Sequence, residues 1–113
     1  MTVYHPTLAA GRWRSFSLME QLAHVGSEVE RAIAWAEKSN FAYSRTAVER
    51  ALELLHLTIE DARNASRLKE LTRVREALLD YFLGDNEYRS TAEGWRKYFF
   101  AFARAAALMK QSP

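Results

Sequence analysis

The stretch LGDNEYRSTAEGWRKYFFAF, residues 83–102, decides the architecture. Six of its twenty residues are aromatic, yet it opens with a turn and carries cations between its rings. Gly84, Asp85 and Asn86 all tolerate turn backbone and follow the last apolar residue of the segment before them. Gly84 is the expected left-handed stop of that preceding helix. Ser90 and Glu93 stand three residues apart, the spacing at which a hydroxyl and a carboxylate satisfy free N–H groups at a helix start. Beyond them Ala92, Trp95, Phe99, Phe102, Ala106 and Met109 recur at 3-4-3-4-3. That spacing lines one face of an α-helix over about 91–110. Tyr88 is expected to fold over the turn.

Outward from this stretch, three more helices follow from the same signals. Ser17 and Glu20 form a capping box, and Leu18, Leu22, Val25, Val29, Ala32 and Ala36 then line one face. Gly26 interrupts this helix where Ala would favour it by about 1 kcal/mol, and close approach of a neighbouring helix explains the exception. Residues 38–40, KSN, end it. A second helix starts at Asn40 or at Thr46, where TAVE offers another capping box. Its apolar line runs through Val48, Leu52 or Ala51, Leu55, Ile59 and Ala62. The polar run EDARNAS, residues 60–66, is expected to hold the next turn. A third helix carries Leu68, Leu71, Val74 or Arg75, Leu78 and Phe82, with Arg75 expected partly buried against an acid.

The fold class is therefore all-α: an antiparallel up-down-up-down four-helix bundle, one domain over residues 1–113, with residues 1–14 as an N-terminal arm. Its 113 residues suffice for one core, and four Gly and two Pro leave no linker. The net charge of +2 does not call for a nucleic-acid partner. The absence of cysteine excludes disulfides, thiolate metal sites and Cys nucleophiles. No apolar run approaches the roughly 18 residues of a membrane span. The opening residues show no charged start followed by an apolar stretch, so a cytoplasmic, membrane-free setting is expected.

The last helix carries more apolar surface than a bundle of this size should hide. Tyr98, Ala101, Ala105 and Leu108 form a second line beside the seam. Phe100 falls in the remaining polar stripe, with Arg96 and Arg104 four residues to either side, within touching distance on a helix. Such a helix is usually covered by something. The arm, with Tyr4, Leu8 and Trp13, is a candidate cover within the chain or across to a neighbour. The expected contact face comprises Trp95, Tyr98, Phe100 and Arg104, with a second copy of the chain as partner.

The signals for chemistry are sparse. Glu53 and His56 have the Glu-x-x-His spacing of di-iron bundles, but a full site needs a second such pair, so no metal and no cofactor is expected. Arg63, Arg67, Lys69, Arg73 and Arg75 make a cationic run, read as a solvated helix face. Arg50 and His56 enclose five residues. This resembles the Arg-x(4–6)-His pattern of HEPN domains, compact helical bundles, and the general shape also resembles the substrate-binding subunits of small nucleotidyltransferases. The resemblance implies that Arg50 and His56 would cleave RNA at a dimer interface, or that the chain would accompany a nucleotidyltransferase. Two features depart from it. Ala51 stands where the ribonucleases commonly have a polar residue, and residues six apart point about 120° away from each other on a straight helix. The preferred expectation is a non-enzymatic, self-associating accessory module, a dimer, with the HEPN-type bundle as the alternative.

Overall fold

Ser17 starts the first helix in the way its spacing to Glu20 requires. In the computed structural model, which describes residues 4–6 and 11–111, the Ser17 hydroxyl accepts from the Glu20 N–H at 3.2 Å. The Glu20 carboxylate accepts in return from the Ser17 N–H at 3.0 Å. From this box α1 runs over Leu18–Glu37. It ends at residues 38–40, where Ser39 takes a φ of 59° and Trp35 meets Tyr43 edge-on at 4.9 Å.

The second helix, α2, covers Phe41–Glu60 and starts at the earlier of its two candidate caps. Asn40 accepts from the Tyr43 N–H at 3.1 Å. Thr46 therefore lies inside the helix, and its hydroxyl bonds back to the Ala42 carbonyl. The polar run after α2 winds into a 3₁₀ segment, Ala62–Arg67, that leads straight into α3, Leu68–Leu83.

The turn before α4, Ala92–Gln111, is built differently from the expectation. Gly84 closes α3 with extended backbone (φ −114°, ψ −155°), not with a left-handed residue. The left-handed positions are Asn86 and Arg89, both at φ 55°. Asp80 supplies the physical reason: its carboxylate accepts from the Glu87 and Tyr88 N–H groups at 2.8 and 2.9 Å, and its carbonyl from Gly84 and Asn86. Asn86 in turn exchanges two hydrogen bonds with the Ser90 backbone. With Ser90 so held, the cap of α4 moves one residue on, to Thr91, whose hydroxyl accepts from the Gly94 N–H at 3.0 Å. Tyr88 lies back along α3, its hydroxyl 3.3 Å from Glu76.

Four helices thus form an all-α bundle in which each runs antiparallel to its neighbours. The described residues contain no strand. The contacts fix the directions. Ser44 at the start of α2 donates to Ala32 near the end of α1 (2.7 Å), and Tyr98 and Trp95 of α4 meet Glu70 and Tyr81 of α3 in reverse order. Leu22, Val25, Val29 and Ile33 of α1, Ala51, Leu54 and Leu55 of α2, Leu71, Val74 and Leu78 of α3, and Trp95 and Phe99 of α4 form one core. Arg75, expected beside that seam, is exposed, because Val74 takes the inward position. Leu68 and Met109, assigned to seams, are also largely exposed; both lie near ends of their helices, where neighbours run out.

α4 is fastened mainly to α1. Gly26 makes this possible: a Cβ placed there would sit 2.6 Å from the Cβ of Phe99. Phe99 stacks on Trp95 at 5.9 Å and so carries the close approach into the core. Ala at an ordinary helix position would add about 1 kcal/mol of helix stability over Gly. Here the methyl has no room, and Gly26→Ala is expected to cost about 1–3 kcal/mol instead, as overpacked cores do. Urea denaturation of the two proteins checks the sign.

Candidate functional site

The outer face of α4 carries exposed apolar side chains that the fold leaves open. Of the four residues expected on it, two turn inward. Trp95 is 8% exposed and belongs to the core, although its indole N–H has no hydrogen-bond partner. Tyr98 is half-buried and donates to Glu70 at 2.8 Å. Burial, then the Glu70 carboxylate, raises the Tyr98 pKa well above that of a free phenol, so it remains a donor. Phe100 is 65% exposed, and Arg104 is exposed beside it.

The flanking cations do not behave alike. Arg96 is tied to α1, bonding Glu30 at 2.8 and 3.2 Å and Glu37 at 3.0 and 3.3 Å. Arg104 makes no ion pair among the described residues. Gly94, Ala101, Ala103 and Ala107 share the open side. Phe100, Ala103, Glu30, Ser27 and Gly26 wall a shallow groove between α1 and α4. Leu108 and Met109 extend the apolar surface toward the end of α4, 55% and 53% exposed.

The described residues of the arm do not cover this face: Tyr4 and His5 lie against α2, because Glu53 captures them. That carboxylate accepts from the Tyr4 N–H (2.8 Å), the His5 N–H (2.7 Å) and pairs with His5 Nδ1 (2.8 Å). The Tyr4 hydroxyl bonds Glu49, and the Arg50 guanidinium sits over the Tyr4 ring at 5.6 Å. Trp13 is 2% exposed and donates to Thr58 at 3.0 Å. Leu8 lies outside the described residues.

The same contacts separate the residues considered for chemistry. Arg50 faces Tyr4, whereas His56 is exposed and pairs with Glu60 at 2.7 Å. Within one chain the two do not converge. Glu53 and His56 likewise have different partners. Among the described residues no group of three or more His, Asp or Glu side chains is placed to hold a metal ion. The cationic run is divided as well. Arg63 and Arg67 belong to the 3₁₀ segment and pair with Asp61 and Glu70, while Lys69, Arg73 and Arg75 are solvated.

One cluster was invisible in the periodicity. Gln21, Thr58, Asp61 and Asn64 are polar and 5% exposed or less. Gln21 donates to the Trp13 carbonyl and to Asp61, both at 3.1 Å, and accepts from Asn64 at 3.0 Å. Asn64 also donates to the Thr58 carbonyl. Arg63 closes the cluster from the solvent side, holding Asp61 at 2.6 Å and reaching the Phe16 carbonyl at 2.8 Å. These bonds join the arm, α1, α2 and the 3₁₀ segment, a structural use for every member.

The chain matches no family model, no curated protein and no solved structure.

The Arg63 hydrogen bonds hold the Asp61 carboxyl far below its ordinary 3.8, outweighing the upward push of burial. A depressed folded value stabilises above the unfolded pKa, and that contribution fades as pH falls toward the folded value. Asp61→Asn is expected to lose about 2 kcal/mol at pH 7, as charged hydrogen bonds do. The gap to wild type should narrow below about pH 4, where the unfolded carboxyl is protonated. Denaturation at pH 7 and pH 3 reads both effects.

Proposed function

We propose that this chain is a non-catalytic helical-bundle module that self-associates through the open face of α4. The observation that carries the reading is Phe100, a large ring 65% exposed on a surface of small side chains. Neighbouring exposed alanines permit a second helix to come close, as small residues do at packed helix interfaces. Removing a Phe side chain from water contributes roughly 2 kcal/mol per copy, a useful anchor for a modest dimer. Phe100 and Arg104 are the contact residues; Trp95 and Tyr98 support them from beneath.

This reading is preferred to an RNA-cleaving HEPN-type bundle because Arg50 is engaged by Tyr4 and His56 by Glu60. Catalysis would need both groups released and then brought together between chains. No helix among the described residues is long and apolar enough to cross a membrane.

Sedimentation of the wild type over a range of concentrations is expected to show dimers of the 13.0 kDa chain, and Phe100→Asp only monomers. The substitution is at an exposed position, so unchanged helicity by circular dichroism should accompany the loss. A wild type that stays monomeric at millimolar concentration removes the proposal. Incubation of the wild type and His56→Ala with RNA is expected to leave the RNA intact in both; cleavage by the wild type alone would favour the ribonuclease instead.

A further inference from the structure

Resting on that self-association, we infer that the two copies meet with their α4 helices antiparallel, Phe100 against Phe100 at the twofold axis. The charges on α4 carry the inference. Glu93, Phe100 and Ala107 are seven residues apart and lie along one stripe, two turns between neighbours. Glu93 is the only acid on α4, and it precedes Phe100; Arg104 and Lys110 follow it. The first half of the face gains two further acids from α1, since Glu30 and Glu37 both surround Arg96. Counting Glu30, Glu37 and Glu93 against Arg96 and Lys97, this end is net acidic by one charge. The other end is net basic on α4, and Lys110 has Glu20 of α1 in its field while Arg104 has no ion pair among the described residues.

A surface that is acidic at one end and basic at the other is self-complementary in one of the two possible directions. Parallel helices would set Arg104 beside Arg104 and Glu93 beside Glu93. Antiparallel helices centred on residue 100 set position 107 opposite 93 and Arg104 opposite Arg96, whose charge Glu30 and Glu37 already offset. Arg104 then lies three residues, about 4.5 Å along the axis, from Glu93 of the second copy, within the span of its side chain. Glu93 is free to accept it: its pairing with Lys97 at 3.2 Å joins two side chains each 78% exposed, and such pairs are weak. An isologous interface makes every such contact twice. Ala103 and Ala107, both exposed, leave room for the approaching helix.

The chain has no cysteine, so single cysteines report the arrangement directly. Ala107→Cys alone should not cross-link to itself, its two sites lying about 21 Å apart along the axis. An equimolar mixture of Ala107→Cys and Glu93→Cys chains should form the mixed disulfide. Arg104→Glu should raise the dimer Kd at least tenfold, roughly the effect of losing close charge pairs, and Glu93→Arg in the same chain should restore it. Rapid self-cross-linking of Ala107→Cys, with no mixed disulfide between the two variants, overturns the antiparallel arrangement while leaving self-association standing. Wild-type monomers at every concentration, with no cross-link in any sample, overturn both.

Discussion

The fold depends on satisfying one buried carboxamide. Gln21 is fully enclosed, and a dry amide with open hydrogen bonds costs more than most apolar contacts return. Its nitrogen is taken by the Trp13 carbonyl and by Asp61, its oxygen by Asn64. Those partners come from the residues before α1 and from the segment after α2. A shift of any one of these elements would orphan polar atoms on the others, so the clamp selects one arrangement, where apolar packing tolerates several.

That clamp determines what remains for the rest of the chain to cover. Trp13 is drawn into the interior between α1 and α2, and residues 4–6 are held on α2 by Glu53. The described residues of the arm are thereby committed to α1 and α2. α4 is left to pack on α1 through the Gly26–Phe99 approach and on α3 through Trp95 and Tyr98. Two sides of the helix are covered and its outer side is not. Phe100 stands on that outer side, and the proposed association is built on it.

The charges show the same division between structural and available groups. Asp61, Glu53 and Glu70 each hold another element in place. Burial pushes Glu70 up, but bonds from Arg67 and Tyr98 outweigh it and bring it below the usual carboxylate range. Arg96 is drawn to α1 by two acids, and its position one turn before Phe100 would not have disclosed that. Arg104 has no such neighbour. Two arginines equivalent on the helix are thus unequal in the fold, one a fastener and the other a surface cation.

The sequence by itself determined the four helices, their order and most of their inward faces. Those depend on side chains three or four residues apart and on caps such as Ser17 with Glu20, all local. It also exposed Gly26 as an exception requiring a neighbour. The buried polar clamp escaped, because Gln21 and Asp61 stand forty residues apart and polar letters read as solvent-facing until something dry surrounds them. The turn at Gly84 was mistaken for a similar reason: Asp80, a helix residue, supplies the bonds that a left-handed glycine would have provided. The placement of Tyr4 and His5 on α2 and the separation of Arg50 from His56 were decided only in three dimensions. Each depends on which distant carboxylate or ring lies within reach, Glu53 for the arm and Tyr4 for Arg50, and helical periodicity carries no record of that.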